Sequence, residues 1–173
     1  MALLTTRAAA WTSLVGTAIL TIVLISPVPD HLAMAIGYTG NVRMFALDFR
    51  PHLPSEIRDT LEAYQDKGRM AMIVNHIAFD FFFPAAYALL LYNIMARIRR
   101  CAQTETSATL LSLPWAAFAA DYLENGGFIL SAHWYSSEVT LLVWVAAMAT
   151  ALKFAALTAP VLVAFHGAFA ENA

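Results

Sequence analysis

Charge is scarce in this sequence. Asp, Glu, Lys and Arg make up 13% of the 173 residues, and the formal net charge is only −2. That balance excludes the basic surface a nucleic-acid binder needs, and it singles out no other charged partner. Cysteine is scarcer still: Cys101 stands alone. An internal disulfide, an iron–sulfur cluster and any multi-cysteine metal site are thereby excluded. No phosphate-binding loop, nucleophile-elbow serine, zinc-protease histidine pair or dinucleotide fingerprint occurs. Glu-x-x-His is also missing, which argues against a carboxylate-bridged metal pair in a bundle. His76 and His166 fall toward opposite faces, so a haem held between two histidines is not expected. The expectation is no metal and no cofactor.

What the chain has is hydrophobicity, with 60% apolar residues and a mean hydropathy of +0.63. Runs of at least about 18 residues with few charges mark spanning helices. Ala8–Pro29 carries no charge, Met70–Ala96 only Asp80, Thr106–Ser137 only Asp121 and Glu124, and Val139–Ala170 only Lys153. The reading is all-α: a polytopic four-helix transmembrane bundle in one integral membrane domain, residues 1–173. Its helices are placed at about 8–28, 70–96, 107–132 and 139–168. The first run follows a one-charge n-region and precedes Ala33-Met34-Ala35, which looks like a cleavage site. Its length exceeds the usual 7–15 residues of a signal peptide, so a retained helix is expected.

The external loop, about 29–69, balances five basic against six acidic residues. Within it PSEIRDTLEAYQDKG reads as a short external amphipathic helix, started by Pro54-Ser55 and stopped at Gly68, with Ile57, Leu61 and Tyr64 on one face. Arg97, Arg99 and Arg100 form the most basic short connection, which the positive-inside rule puts in the cytoplasm. Both termini are then cytoplasmic, the membrane is the cell's inner (plasma) membrane, and His133, Trp134 and Tyr135 suit an outer aromatic belt.

A charge at bilayer depth costs at least ~2.5–3.5 kcal/mol, so Asp80, Asp121, Glu124 and Lys153 are the candidate catalytic residues. Counting ~1.5 Å per residue puts Asp80 about 15 Å below the outer boundary, Asp121 about 8 Å, Glu124 about 4 Å and Lys153 about 22 Å. Asp121, Glu124 and Asn125 share a helix face, as do His76 and Asp80. Lys153 is expected nearest Asp80, with Asp121 second. Three carboxylates and one lysine would bury two uncompensated negative charges, so one carboxyl is expected to hold a proton at neutral pH. Asp80 and Asp121 then form a proton-handling pair, Glu124 and Asn125 orient, Lys153 is the counter-ion, and His76 relays a proton. Pro84 deprives the Asp80 carbonyl of its helical donor, predicting a kink beside the acid.

Two resemblances rest on these residues. Gly68-Arg69, Asp80…Pro84…Tyr87, Asp121-x-x-Glu124-Asn125 and Thr150-x-x-Lys153 resemble the pattern of a group of small four-helix bacterial membrane proteins. That likeness adds Arg69 and Tyr87 to the ligand-binding candidates His76 and Asn125. FDFFFPAAY and the overall layout resemble the emopamil-binding and sigma-2 receptor group, although Lys153 and the Asp-x-x-Glu-Asn pattern stand outside it. This second likeness implies a lipid-open cavity in which carboxylates hold an amine or sterol-like ligand and shuttle a proton to move a double bond.

The leading expectation is therefore binding, extending to acid–base isomerisation, of a lipophilic small molecule within the lipid bilayer. A proton or cation transporter or channel subunit would use the same carboxylates, and a non-catalytic assembly partner would use the polar faces as contacts. Association into a homo-oligomer fits any of the three, and nucleic acid fits none.

Overall fold

A computed structural model describes residues 7–26, 28–39, 50–101, 108–135 and 140–170, and within these every regular element is helical. Six α-helices follow in order: α1 (Arg7–Ile25), α2 (Val28–Ala35), α3 (Pro54–Asn75), α4 (Phe83–Cys101), α5 (Ala108–His133) and α6 (Thr140–Ala170). A π-helical segment, His76–Asp80, joins α3 to α4. Two stretches, Pro54–Arg97 and Thr140–Leu162, are long and apolar enough to cross a membrane, and α1 with α2, bent by 54°, would supply a third. The side chains of Arg99, Arg100 and Cys101, the 102–107 connection and residues 1–6 lie outside the described set.

The first helix expected over 8–28 is α1, which ends at Ile25, and a second helix, α2, occupies the start of the stretch expected as external loop. Ser26 marks the break: its hydroxyl donates to the Val23 carbonyl at 2.7 Å and accepts the Val28 N–H at 3.2 Å, capping α2. Pro29, in the first turn of α2, carries no N–H to extend the preceding helix.

Helix α3 starts at Pro54, as the Pro-Ser pair predicts, with the Glu56 carboxylate reaching back to the Leu53 N–H at 2.9 Å. It does not stop at Gly68. The backbone breaks at Gln65 instead, at φ 53°, and the helix resumes through Gly68 to Asn75. Gly68 is needed for proximity rather than termination: a Cβ there would sit 2.7 Å from the Tyr38 ring. On the two sides of the break Ile57, Leu61 and Tyr64, then Gly68, Ala71 and Asn75, are buried at three- and four-residue steps.

After α3 the ladder widens. The Phe81 N–H bonds to the His76 carbonyl at 2.9 Å, five residues back, and the α-helix resumes at Phe83. Pro84 lies just beyond, so the expected kink beside Asp80 is present as a π segment and a turn.

Helices α5 and α6 form the most extensive pair in the bundle, with α4 and α3 packed on α5. Gly127 sets their separation, since a Cβ there would come within 2.9 Å of the Ala146 Cβ. Close approach through small residues is how helices associate where apolar burial gives little drive. The core below is Ile57, Leu61, Tyr64, Met72, Phe128, Val143 and Ala147, with a second cluster of Tyr87, Ala88, Ala117 and Ala156.

The bundle carries large apolar side chains on its exterior and buries polar groups beside its apolar core. On α6 the large apolar residues point outward, with Leu141 75% and Met148 64% exposed, while Thr150 is 0% and Lys153 6% exposed. Trp11, Ile19 and Ile22 of α1 face outward as well. So many exposed large apolar residues over buried charges are unlike the usual soluble domain. Helix α5, the most acidic of the apolar helices, is the one enclosed by its neighbours.

Candidate functional site

The closest set of functional side chains lies where α4, α5 and α6 meet. The Lys153 ammonium contacts Asp121 Oδ1 at 3.3 Å and forms a second, shorter ion pair with Glu124 Oε2. Tyr87 donates its hydroxyl to Asp121 Oδ2 at 2.8 Å, and Thr150 donates to Glu124 Oε1 at 2.8 Å. The Thr150 oxygen also lies 2.9 Å from the Ala146 carbonyl, so one hydroxyl proton serves two acceptors. Both oxygens of both carboxylates are thus engaged, and one ammonium bridges them. All five side chains are buried.

Hairpin register explains this closure. Gly127 meets Ala146, and three residues back along α5 against four on along α6 brings Glu124 to Thr150, with three more on each bringing Asp121 to Lys153. The graded column expected from sequence, with Glu124 near the outer face and Lys153 far below it, is therefore a single level. Counting from the far end misplaced α5, whose 26 residues span about 39 Å, more than the ~30 Å core assumed. Lys153, expected nearest Asp80, sits on Asp121 and Glu124.

Asp80, 6% exposed, closes the π segment at the edge of this cluster. It acts electrostatically on Tyr87 and on Tyr122, whose hydroxyl makes a short bond to the Phe81 carbonyl one residue on. His76 is 1% exposed, with Nδ1 placed 2.9 Å from the Met72 carbonyl and its ring edge-on to Phe128 at 5.9 Å. In the neutral ring this puts the proton on Nδ1 and the lone pair on Nε2.

Asn125 is buried beside Glu124, and neither its Oδ1 nor its Nδ2 has a hydrogen-bond partner. Asn75, which the sequence reading passed over, is in the same state at 1% exposure. The signal for it was the stripe from Ile57, hidden once a helix end was placed at Gly68.

Arg69 stands apart from the other candidates. Its guanidinium donates to the Leu61 carbonyl at 3.0 Å, just before the break at Gln65, pairs with Asp66, and stacks 4.3 Å over the Tyr135 ring. These contacts cap the first half of α3 and pin it to the end of α5, about three helical turns from Asp121. An open cleft of about 500 Å³ lies near this end, lined by Tyr38, Tyr64, Gln65 and Lys67, away from the charge cluster. Among the described residues no three His, Cys, Asp or Glu side chains converge as a metal site.

No protein-family model matches the chain, and no curated protein or solved structure is significantly similar to it.

Proposed function

We propose that the protein is a multi-pass membrane protein that binds a lipophilic small molecule and moves a proton on it with buried carboxyls. The observation that carries this reading is the Asp121–Lys153–Glu124 cluster, buried within a bundle whose exterior is apolar. Ionisable groups at such depth are usually functional. Four passes would come from α1 with α2, the α3–α4 stretch, α5 and α6. Helix α5 needs no lipid-facing polar residue, since its acids turn inward. The basic residues Arg97, Arg99 and Arg100 favour cytoplasmic termini in the inner membrane.

Within this reading the carboxyls divide their work. Lys153 and Tyr87 both stabilise the charged form of Asp121, which makes it the base. Asp80, beside the opened helix at the π segment, is the proton donor. One proton delivered to a carbon of a double bond and one removed from a neighbouring carbon leave an isomer, with no redox partner required. Helix irregularities of this kind recur at functional sites. The likeness of FDFFFPAAY to the emopamil-binding group agrees with such chemistry.

Incubating the purified protein in D2O with the lipophiles that co-purify tests this directly. Wild type should place deuterium on carbon in one of them, and Asp121→Asn and Asp80→Asn should abolish incorporation while remaining folded. Incorporation unchanged in both variants contradicts the proton-transfer role. Asp80-dependent acidification of proteoliposomes, without any retained lipophile, would replace this reading with ion transport.

A further inference from the structure

We propose that Tyr122 is a positioning residue for Asp80: its hydroxyl, bonded to the Phe81 carbonyl, holds the turn that carries the proposed proton donor. The inference rests on the proton-transfer function proposed above and adds a residue to that site.

Regular helix does not fix this turn. The Phe81 N–H reaches back five residues to the His76 carbonyl at 2.9 Å, and α4 resumes only at Phe83. Pro84 has no N–H to offer the Asp80 carbonyl four residues before it. The backbone over residues 80–82 is therefore held by fewer ladder bonds than regular helix, and local opening concentrates at such points. Phe81 also lies on the apolar exterior, 51% exposed, where in a bilayer a carbonyl finds no water to bond.

Tyr122 supplies what the ladder lacks. It comes from α5, 41 residues further along the chain, and its hydroxyl donates to the Phe81 carbonyl. With its N–H on His76 and its carbonyl on Tyr122, Phe81 is tied at both backbone ends, and Asp80 directly precedes it. The tyrosine ring is itself held, 4.7 Å from Phe118 and edge-on to Phe81 at 5.4 Å. The Asp80 carboxylate is within electrostatic reach of Tyr122 and of Tyr87, which donates to Asp121 Oδ2. One tyrosine thus ties the backbone of the donor acid, and the other binds the base.

The two acids are set by different means. Asp121 is fixed through bonds to its own oxygens, whereas Asp80 is set through the backbone beside it. A shift of that turn by about 1 Å moves the carboxyl off the carbon it protonates, and a misplacement of this size costs on the order of 100-fold in rate.

The test compares wild type, Tyr122→Phe and Thr158→Val, each as the full chain in lipid nanodiscs. Thr158 donates to the Phe154 carbonyl at 2.8 Å, so its variant loses a bond of the same kind elsewhere in the bundle. Two quantities are read: deuterium placed on the co-purifying lipophiles in D2O, and the infrared carbonyl stretch of the protonated Asp80 carboxyl, identified by its absence in Asp80→Asn. Tyr122→Phe should stay folded, shift the Asp80 band and lower incorporation at least about tenfold. Thr158→Val should change neither. If Tyr122→Phe does not fold, difluorotyrosine at position 122, which keeps the ring and alters the strength of the donor, should shift the same band; an unmoved band there overturns the proposal.

A folded Tyr122→Phe protein with an unmoved Asp80 band and undiminished incorporation overturns the positioning role and leaves the proton-transfer function standing. An equal loss of incorporation in Thr158→Val reduces Tyr122 to a structural contact. Wild type that incorporates no deuterium, or that shows no band removed by Asp80→Asn, takes away the function itself and the positioning role with it.

Discussion

The two polar regions of this core are built on opposite terms. Around Lys153 every carboxylate oxygen of Asp121 and Glu124 has a partner, and three helices contribute. At Asn75 and Asn125 no side-chain polar atom has a hydrogen-bond partner. A closed network resists change and fixes the register of the helices that share it. An unpaired amide gains nothing from the fold. The same interior therefore contains a closed network and open amides, and substitution should separate them.

The largest effect is expected at Lys153. Lys153→Met strands two carboxylates against each other, and breaking a buried ion pair from one side costs about 3–5 kcal/mol. Thermal denaturation in detergent should show the loss, with partial recovery in Lys153→Met/Glu124→Gln because one stranded charge is removed. A Lys153→Met protein as stable as wild type would erase the distinction between the two regions.

Next comes the contact that sets the register. Gly127→Val forces side-chain atoms into Ala146, and such overpacking costs about 1–3 kcal/mol. Because Glu124 and Asp121 follow from the same hairpin alignment, the variant should also lose function, whereas Gly126→Val, with nothing within 4 Å, should be silent in both assays.

Smaller effects belong to single hydrogen bonds. Tyr87→Phe and Thr150→Val each remove one donor to a carboxylate that keeps its lysine, a loss of roughly 0.6–1.5 kcal/mol. Tyr87→Phe should affect proton transfer more than Thr150→Val, since its partner Asp121 is the proposed base. The smallest stability effect is expected at Asn125→Leu, within about 0.5 kcal/mol of wild type or slightly stabilising, because no bond is broken. Chemical denaturation in the same detergent orders all five, and an Asn125→Leu loss comparable to Tyr87→Phe would show that the Asn125 amide is not open.

Much of the closed region was legible in the sequence, and most of the open one was not. Asp121, Glu124 and Lys153 announce themselves because each interrupts an apolar run, and a lone charge there needs partners. Their common level was hidden, because depth was counted along a helix longer than the layer it crosses. The turn between α5 and α6 is the better origin, since both helices leave it together. Asn75 escaped because an amide at the start of an apolar run carries no charge to notice, and a glycine read as a helix stop cut the stripe that leads to it. Arg69, read as a ligand-binding candidate, makes its contacts at the break at Gln65, which no local residue pattern signals. The π segment was partly legible, since Pro84 withdraws a donor, but the bond from Tyr122 to the Phe81 carbonyl beside it was not.

Thermal denaturation of the Asn75→Leu/Asn125→Leu double variant beside Lys153→Met, both in the same detergent, tests the division most directly. The asparagine variant should melt no lower than wild type, and Lys153→Met should melt well below it. A double variant that melts as low as Lys153→Met would contradict the account.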